Sequence, residues 1–181
     1  MVTGSGLRGG RRLARRGSNT SLQGGGNAQL AWSPDGRKIA YLRALPRPAG
    51  CNDATGLDVV SVRRGVVQPV YHVVESCNSV DGVAWSPNGR RLVLSLASGL
   101  VTVSPSGGPV RPLVSGYGGN PLWFPDGRSV AYTARGCMRD PGSLEEFAYE
   151  LCAVRVDGSH RRMLATLSDR LAVFGLQWWM R

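Results

Sequence analysis

Residues 31–42 read "AWSPDGRKIAYL", and the pattern returns as "AWSPNGRRLVLS" from Ala84 and as "LWFPDGRSVAYT" from Leu122. Each copy places a short apolar run before a proline, a turn pair, a basic residue and a second apolar run. Pro34 lacks an N–H for a β-ladder, so it marks a strand end. Asp35-Gly36, Asn88-Gly89 and Asp126-Gly127 are hairpin signals of the type I′ kind, which places positive φ at both central residues. Ile39 to Leu42 then read as a returning strand. Trp, Pro and Gly recur in register, so the three hairpins are copies of one unit.

Each hairpin is followed by a second β-rich pair with a Gly-containing turn. These are "GLDVVSVRRGVVQPVYHV" from Gly56, "GLVTVSPSGGPVRPLV" from Gly99 and "ELCAVRVDGSHRRMLAT" from Glu150. The predicted unit is four antiparallel strands, A to D, with a tryptophan on strand A. Trp85 to Trp123 spans close to the ~40–45 residues of a propeller blade. The longer Trp32–Trp85 and Trp123–Trp178 intervals hold insertions between strands B and C, "RALPRPAGCNDAT" and "RGCMRDPGSLEEFAY". The fold class expected is all-β: a partial β-propeller of about three blades, with part-blades at both ends and almost no helix. Blade ranges are 28–81, 82–119 and 120–173, with the start of another at 174–181. Residues 1–27 form a basic Gly/Arg-rich segment in which "GGRRLARRGS" reads as an outer strand of a preceding blade.

These units resemble the WD40-like repeat of TolB-type β-propellers, over roughly residues 28 to 179. They lack the Trp-Asp that ends the third strand of true WD40 repeats, and Phe124 stands where the other copies carry Ser. The resemblance implies blade packing by Trp32, Trp85, Trp123 and Trp178, and a protein- or peptide-binding role. In the family, TolB works in the periplasm with a peptidoglycan-associated lipoprotein and Tol partners. No motif here carries that partner set over. Similar repeats form the non-catalytic propeller of prolyl-oligopeptidase-type serine hydrolases, the alternative reading.

The chain has 181 residues and a net charge of +10. Lys38 is the only lysine, and the arginines are spread without aromatic interleaving. That reads as a solvated, arginine-rich surface, and no nucleic-acid partner is expected. No stretch approaches the ~18 apolar residues of a membrane span. Arg11-Arg12 and Arg15-Arg16 are not followed by an apolar core, so no intact secretion signal is read. Of the four cysteines, Cys137 and Cys152 flank the third unit's insertion on neighbouring strands and are a candidate disulfide. Cys51 and Cys77 are a second candidate pair. The alternative is four buried thiols in a reducing cytosol. Bridged cysteines place the parent protein in the periplasm or outside the cell.

No catalytic, cofactor or metal site is expected. His72 and His160 lie in or beside strand D without a carboxylate at ligand spacing. No Gly-x-Ser-x-Gly elbow occurs, and "SGYGGN" from Ser115 lacks the lysine of a phosphate loop. Glu145 and Glu146 read as a solvated loop. Asp35, Asn88 and Asp126 have turn roles. Three blades leave open strand edges, which suggests a fragment of a longer propeller or self-association through exposed edges, Trp178 and Trp179 among them. The far-ultraviolet circular dichroism of the purified chain should be that of a β protein, and a helix-dominated spectrum would refute the repeat reading.

Overall fold

The computed structural model describes residues 30–46, 49–50, 54–72, 79–137 and 149–167. These form twelve strands and no helix. The first sheet holds β1 (Leu30–Trp32), β2 (Lys38–Ala44), β3 (Thr55–Ser61) and β4 (Val67–Tyr71). The second holds β5 (Val80–Trp85), β6 (Leu92–Leu96), β7 (Gly99–Val103) and β8 (Arg111–Ser115). The third holds β9 (Gly119–Trp123), β10 (Ser129–Arg135), β11 (Tyr149–Arg155) and β12 (Arg162–Thr166). Each sheet is a meander whose strands lie in chain order and pair antiparallel. A register shift recurs at the same place in the outer pair of every sheet: Leu57/Asp58, Leu100/Val101 and Leu151/Cys152. Such bulges add twist, and the repeat shows that the three units share fine geometry as well as topology.

The A–B turn differs from the type I′ expectation. Gly36 N–H donates to the Ser33 carbonyl at 2.9 Å, and Ser33 N–H donates to the Lys38 carbonyl at 2.9 Å. The turn's central residues are therefore Pro34 and Asp35, one residue earlier than the Asp-Gly reading. Only the glycine is left-handed, with φ of 65°, 67° and 65° at Gly36, Gly89 and Gly127. The cause is proline, which pre-sets the negative φ wanted at the second position of a type I turn. Asp35 Oδ1 accepts the Arg37 N–H at 3.1 Å and the Ser33 hydroxyl at 2.7 Å, while Ser33 Oγ accepts the Lys38 N–H at 2.9 Å. Ser86, Asn88, Arg90 and Arg91 repeat the arrangement. In the third unit Phe124 brings no hydroxyl, and Asp126 still accepts the Arg128 N–H at 2.8 Å.

The sheets stack with two cores between them. Leu57, Val59 and Tyr71 of the first sheet pack with Val83, Trp85 and Leu94 of the second. Val93, Leu100 and Leu113 on the other face of the second sheet pack with Trp123, Val130 and Tyr132 of the third. The middle sheet is thus covered on both faces, and β6 and β7 are buried at every position. That explains why "LVLSL" and "GLVTV" lack the strict polar alternation of a one-faced strand. Full burial of a Leu or Val side chain contributes about 1.5–3 kcal/mol.

One contact is copied across both interfaces. Trp85 Nε1 donates to the Ala31 carbonyl at 2.9 Å, and Trp123 Nε1 donates to the Ala84 carbonyl at 3.2 Å. The turns stack in step with it: a Cβ on Gly89 would stand 3.7 Å from Pro34 Cδ, and one on Gly127 the same distance from Pro87 Cδ. Trp32 departs from the core expectation. It is 58% exposed, because no described sheet packs on the outward face of β1. Trp178 lies outside the described residues.

Tyr132 is the largest fully buried side chain, and its hydroxyl has no hydrogen-bond partner among the described residues. Burial pushes the phenol pKa up. A stranded hydroxyl costs about 1–3 kcal/mol. Tyr132→Phe keeps the ring and removes the stranded group, so it should raise the denaturant midpoint, by about 1 kcal/mol of stability. A lower midpoint with unchanged slope would show that the hydroxyl is partnered.

Candidate functional site

The meander fixes two ends on every sheet. A–B and C–D turns lie at one end, and B–C and D–A connections at the other. The connection end carries the densest polar chemistry. An aspartate interrupts the apolar strand "GLDVVS": Asp58 lies on β3 opposite Tyr41 of β2 and is 2% exposed. Its carboxylate is satisfied from three sides. Arg43 Nε donates to Oδ2 at 2.8 Å, the Tyr41 hydroxyl donates to Oδ2 at 3.3 Å, and His72 Nε2 lies 2.6 Å from Oδ1. Arg43 also lies 3.3 Å from the His72 ring. Burial, then the Asp58 charge, push the Tyr41 phenol pKa up.

This cluster corrects the reading of His72 as a lone edge histidine. The bulge at Leu57/Asp58 and the end of β4 bring it beside a carboxylate fourteen positions away in sequence. The legible signal was an acid within an apolar strand, which needs a buried partner. Contacts with a guanidinium, an imidazole and a phenol make Asp58 a well-satisfied buried carboxylate. No described hydroxyl or thiol nucleophile is bonded to the His72 ring.

His160 sits at φ 53° in the C–D turn of the third sheet. Ser159 Oγ lies 2.8 Å from His160 Nδ1 and 2.6 Å from Asp157 Oδ1. Aspartate and imidazole both face the hydroxyl, whereas a relay needs the acid on the imidazole's other nitrogen. The Ser159 bond holds the Asp157 pKa below the usual carboxylate range, as the Ser33 bond does for Asp35. Both residues are turn caps.

Cys137, just beyond β10, is disulfide-bonded to Cys152 of β11, with Cα atoms 6.0 Å apart. Glu150 Oε2 accepts the Cys137 N–H at 2.8 Å. The sulfurs and this carboxylate lie within 4.8 Å of one another. That spacing would suit a metal only with free thiolates, and the sulfurs here are bonded to each other. Thr55 Oγ1 ties the same end of the first and second sheets together, donating to the Val80 carbonyl and accepting the Val80 N–H, both at 2.8 Å. Cys51, Cys77, Glu145, Glu146 and Trp179 lie outside the described residues.

No family model matches the sequence, and no curated protein matches it. Solved structures do. A TolB of Agrobacterium tumefaciens is similar over 77% of this chain and 50% of its own, with a TM-score of 0.58 and 20% identity. The isopeptidase AtxE2, solved with astexin3-dC4 bound, is similar over 75% of this chain and 28% of its own, with a TM-score of 0.52 and 14% identity. Prolyl oligopeptidase B of Galerina marginata is similar over 76% of this chain and 21% of its own, with a TM-score of 0.50 and 15% identity. The chain thus spans about half the length of the TolB and less of the two peptidases. At these identities the likeness is one of fold. Three four-stranded antiparallel sheets stacked through strand-A tryptophans, alike in fold to that TolB, are blades of a TolB-like β-propeller.

Proposed function

We propose that this chain is a non-catalytic β-propeller module that binds a protein or peptide partner outside the cytoplasm. The observation that carries the reading is the loop-bearing end of the stacked blades. There a buried carboxylate cluster and a disulfide brace the bases of the two B–C insertions, as a rigid scaffold braces binding loops. The described polar groups that resemble catalytic parts are already committed. Asp58 is bonded to Arg43 and His72, Ser159 is a turn cap, and Cys137 and Cys152 are joined. The disulfide supports an oxidising compartment, periplasmic or extracellular. No helix among the described residues is long and apolar enough to cross a membrane.

A second reading rests on the fold likeness to prolyl oligopeptidase B and to AtxE2. In it the blades belong to a hydrolase whose catalytic domain lies on other sequence. Both readings make this chain silent by itself. The purified chain should show no turnover of peptide p-nitroanilides or of p-nitrophenyl esters. Activity that survives purification and scales with this protein would overturn both.

The exposed strand-A face is expected to promote self-association. Leu30 is 68% exposed and Trp32 58% exposed, and contiguous apolar patches mark contact surfaces. Sedimentation at tens of micromolar should reveal dimers or larger species, fewer of them in Trp32→Ser. A cooperative monomer that is unchanged by Trp32→Ser would refute the expectation.

A further inference from the structure

We propose that a shallow cavity on the second sheet, walled by Arg90, Arg91 and Arg111, is a binding site for a phosphate-type oxyanion. The cavity holds about 170 Å³, roughly the volume of five or six waters at ~30 Å³ each. Thr102 and Ser104 complete its polar lining. The adjacent Arg90 and Arg91 and the distant Arg111 come from two places in the chain, and the sheet brings them together. Val93 of β6 packs toward the third sheet, Thr102 of β7 is its register partner, and Arg111 of β8 is the partner of Thr102. Arg91, just before β6, lines the same cavity as Thr102 and Arg111. The capped turn holds the backbone beneath Arg90 and Arg91, through Asn88 and Ser86.

Comparison with the sibling sheet shows what is particular to this place. In the first sheet the position equivalent to Arg111 is Gln68, the register partner of Val59. Gln68 Nε2 donates to the Ser106 carbonyl of the next sheet at 2.5 Å, so that junction closes on itself. On the second sheet an arginine stands at that position, and it lines a cavity. None of Arg90, Arg91 and Arg111 pairs with a described carboxylate. Nearby charge does not supply the missing anion. Most described cations lie at this turn end, including Arg37, Arg63, Arg128 and Arg161. The acids there are Asp35, Asp126 and Asp157, whose carboxylates accept N–H groups of their own turns.

Guanidinium forks match oxyanion geometry with paired donors. Three around one cavity suit a group carrying between one and two negative charges at neutral pH, as a phosphate monoester does. The phosphate can come from a small molecule or from a linear polyphosphate laid along the cationic end, and the experiment separates these.

Isothermal titration of the full chain at fixed ionic strength would use inorganic phosphate in one arm and linear polyphosphate in the other, against chloride alone. Arg111→Gln and Arg91→Ser install the residues found at the equivalent positions of the first and third sheets, Gln68 and Ser129, so both fit a blade. Loss of a charged hydrogen-bond donor should weaken binding about tenfold or more in each. Arg111→Lys should bind between wild type and Arg111→Gln, and Arg63→Gln, at the same end but away from the cavity, should bind as wild type. Saturable phosphate binding with this pattern supports a site for small phosphates. The pattern with polyphosphate alone supports the same site read by a polymer. Equal weakening by Arg63→Gln would mean diffuse charge attraction and overturn the proposal, as would binding in neither arm.

Discussion

The reach of a strand-A indole back to the preceding strand-A carbonyl joins the whole array. Trp85 to Ala31 and Trp123 to Ala84 are the same contact made twice. A tryptophan needs a partner for its N–H when its ring is buried. The carbonyl that accepts it lies on strand A of the neighbouring sheet. Satisfying that N–H ties each strand A to the one before it, while the apolar cores set how the sheets pack. The rest follows in step: the proline of one A–B turn meets the glycine of the next, and the two apolar cores close between meanders. Where no described sheet precedes, at Trp32, the same side chain stands in solvent.

The meander also sorts chemistry by end. Odd and even connections of an antiparallel sheet fall at opposite ends, so each blade repeats the sorting of the one before. Turn sequences of the form Pro-Asp/Asn-Gly-Arg carry a cap whose Asp or Asn oxygen is occupied by the turn's own N–H. Copied three times, that local economy builds a cationic end without any long basic run in the sequence. The connection end is built differently. Its buried anion, Asp58, is held between Arg43 and His72, and a buried charge is tolerated only with such partners. The disulfide at Cys137 closes a loop with a sequence separation of 15, which in the chain-entropy model stabilises by about 3 kcal/mol. Both devices lie at the bases of the B–C insertions.

Fold class was legible in the sequence because it depends on local rules. Proline and glycine punctuate strands wherever they occur, and a tryptophan repeated in register with them can only be a repeated packing position. Turn type was harder. Asp-Gly suggested a two-residue hairpin, but Pro34 sits one position earlier and its fixed φ moves the turn forward.

What the sequence determined by itself was the four-stranded unit and its repetition, since each depends on neighbours within a few positions. Tertiary structure alone decided which tryptophans are buried, because that depends on whether another sheet lies beside strand A. It alone brought His72 to Asp58, through strand register and a bulge. It alone gathered Arg90, Arg91 and Arg111 around one cavity, since a residue's neighbours across a sheet are set by pairing and not by position in the chain.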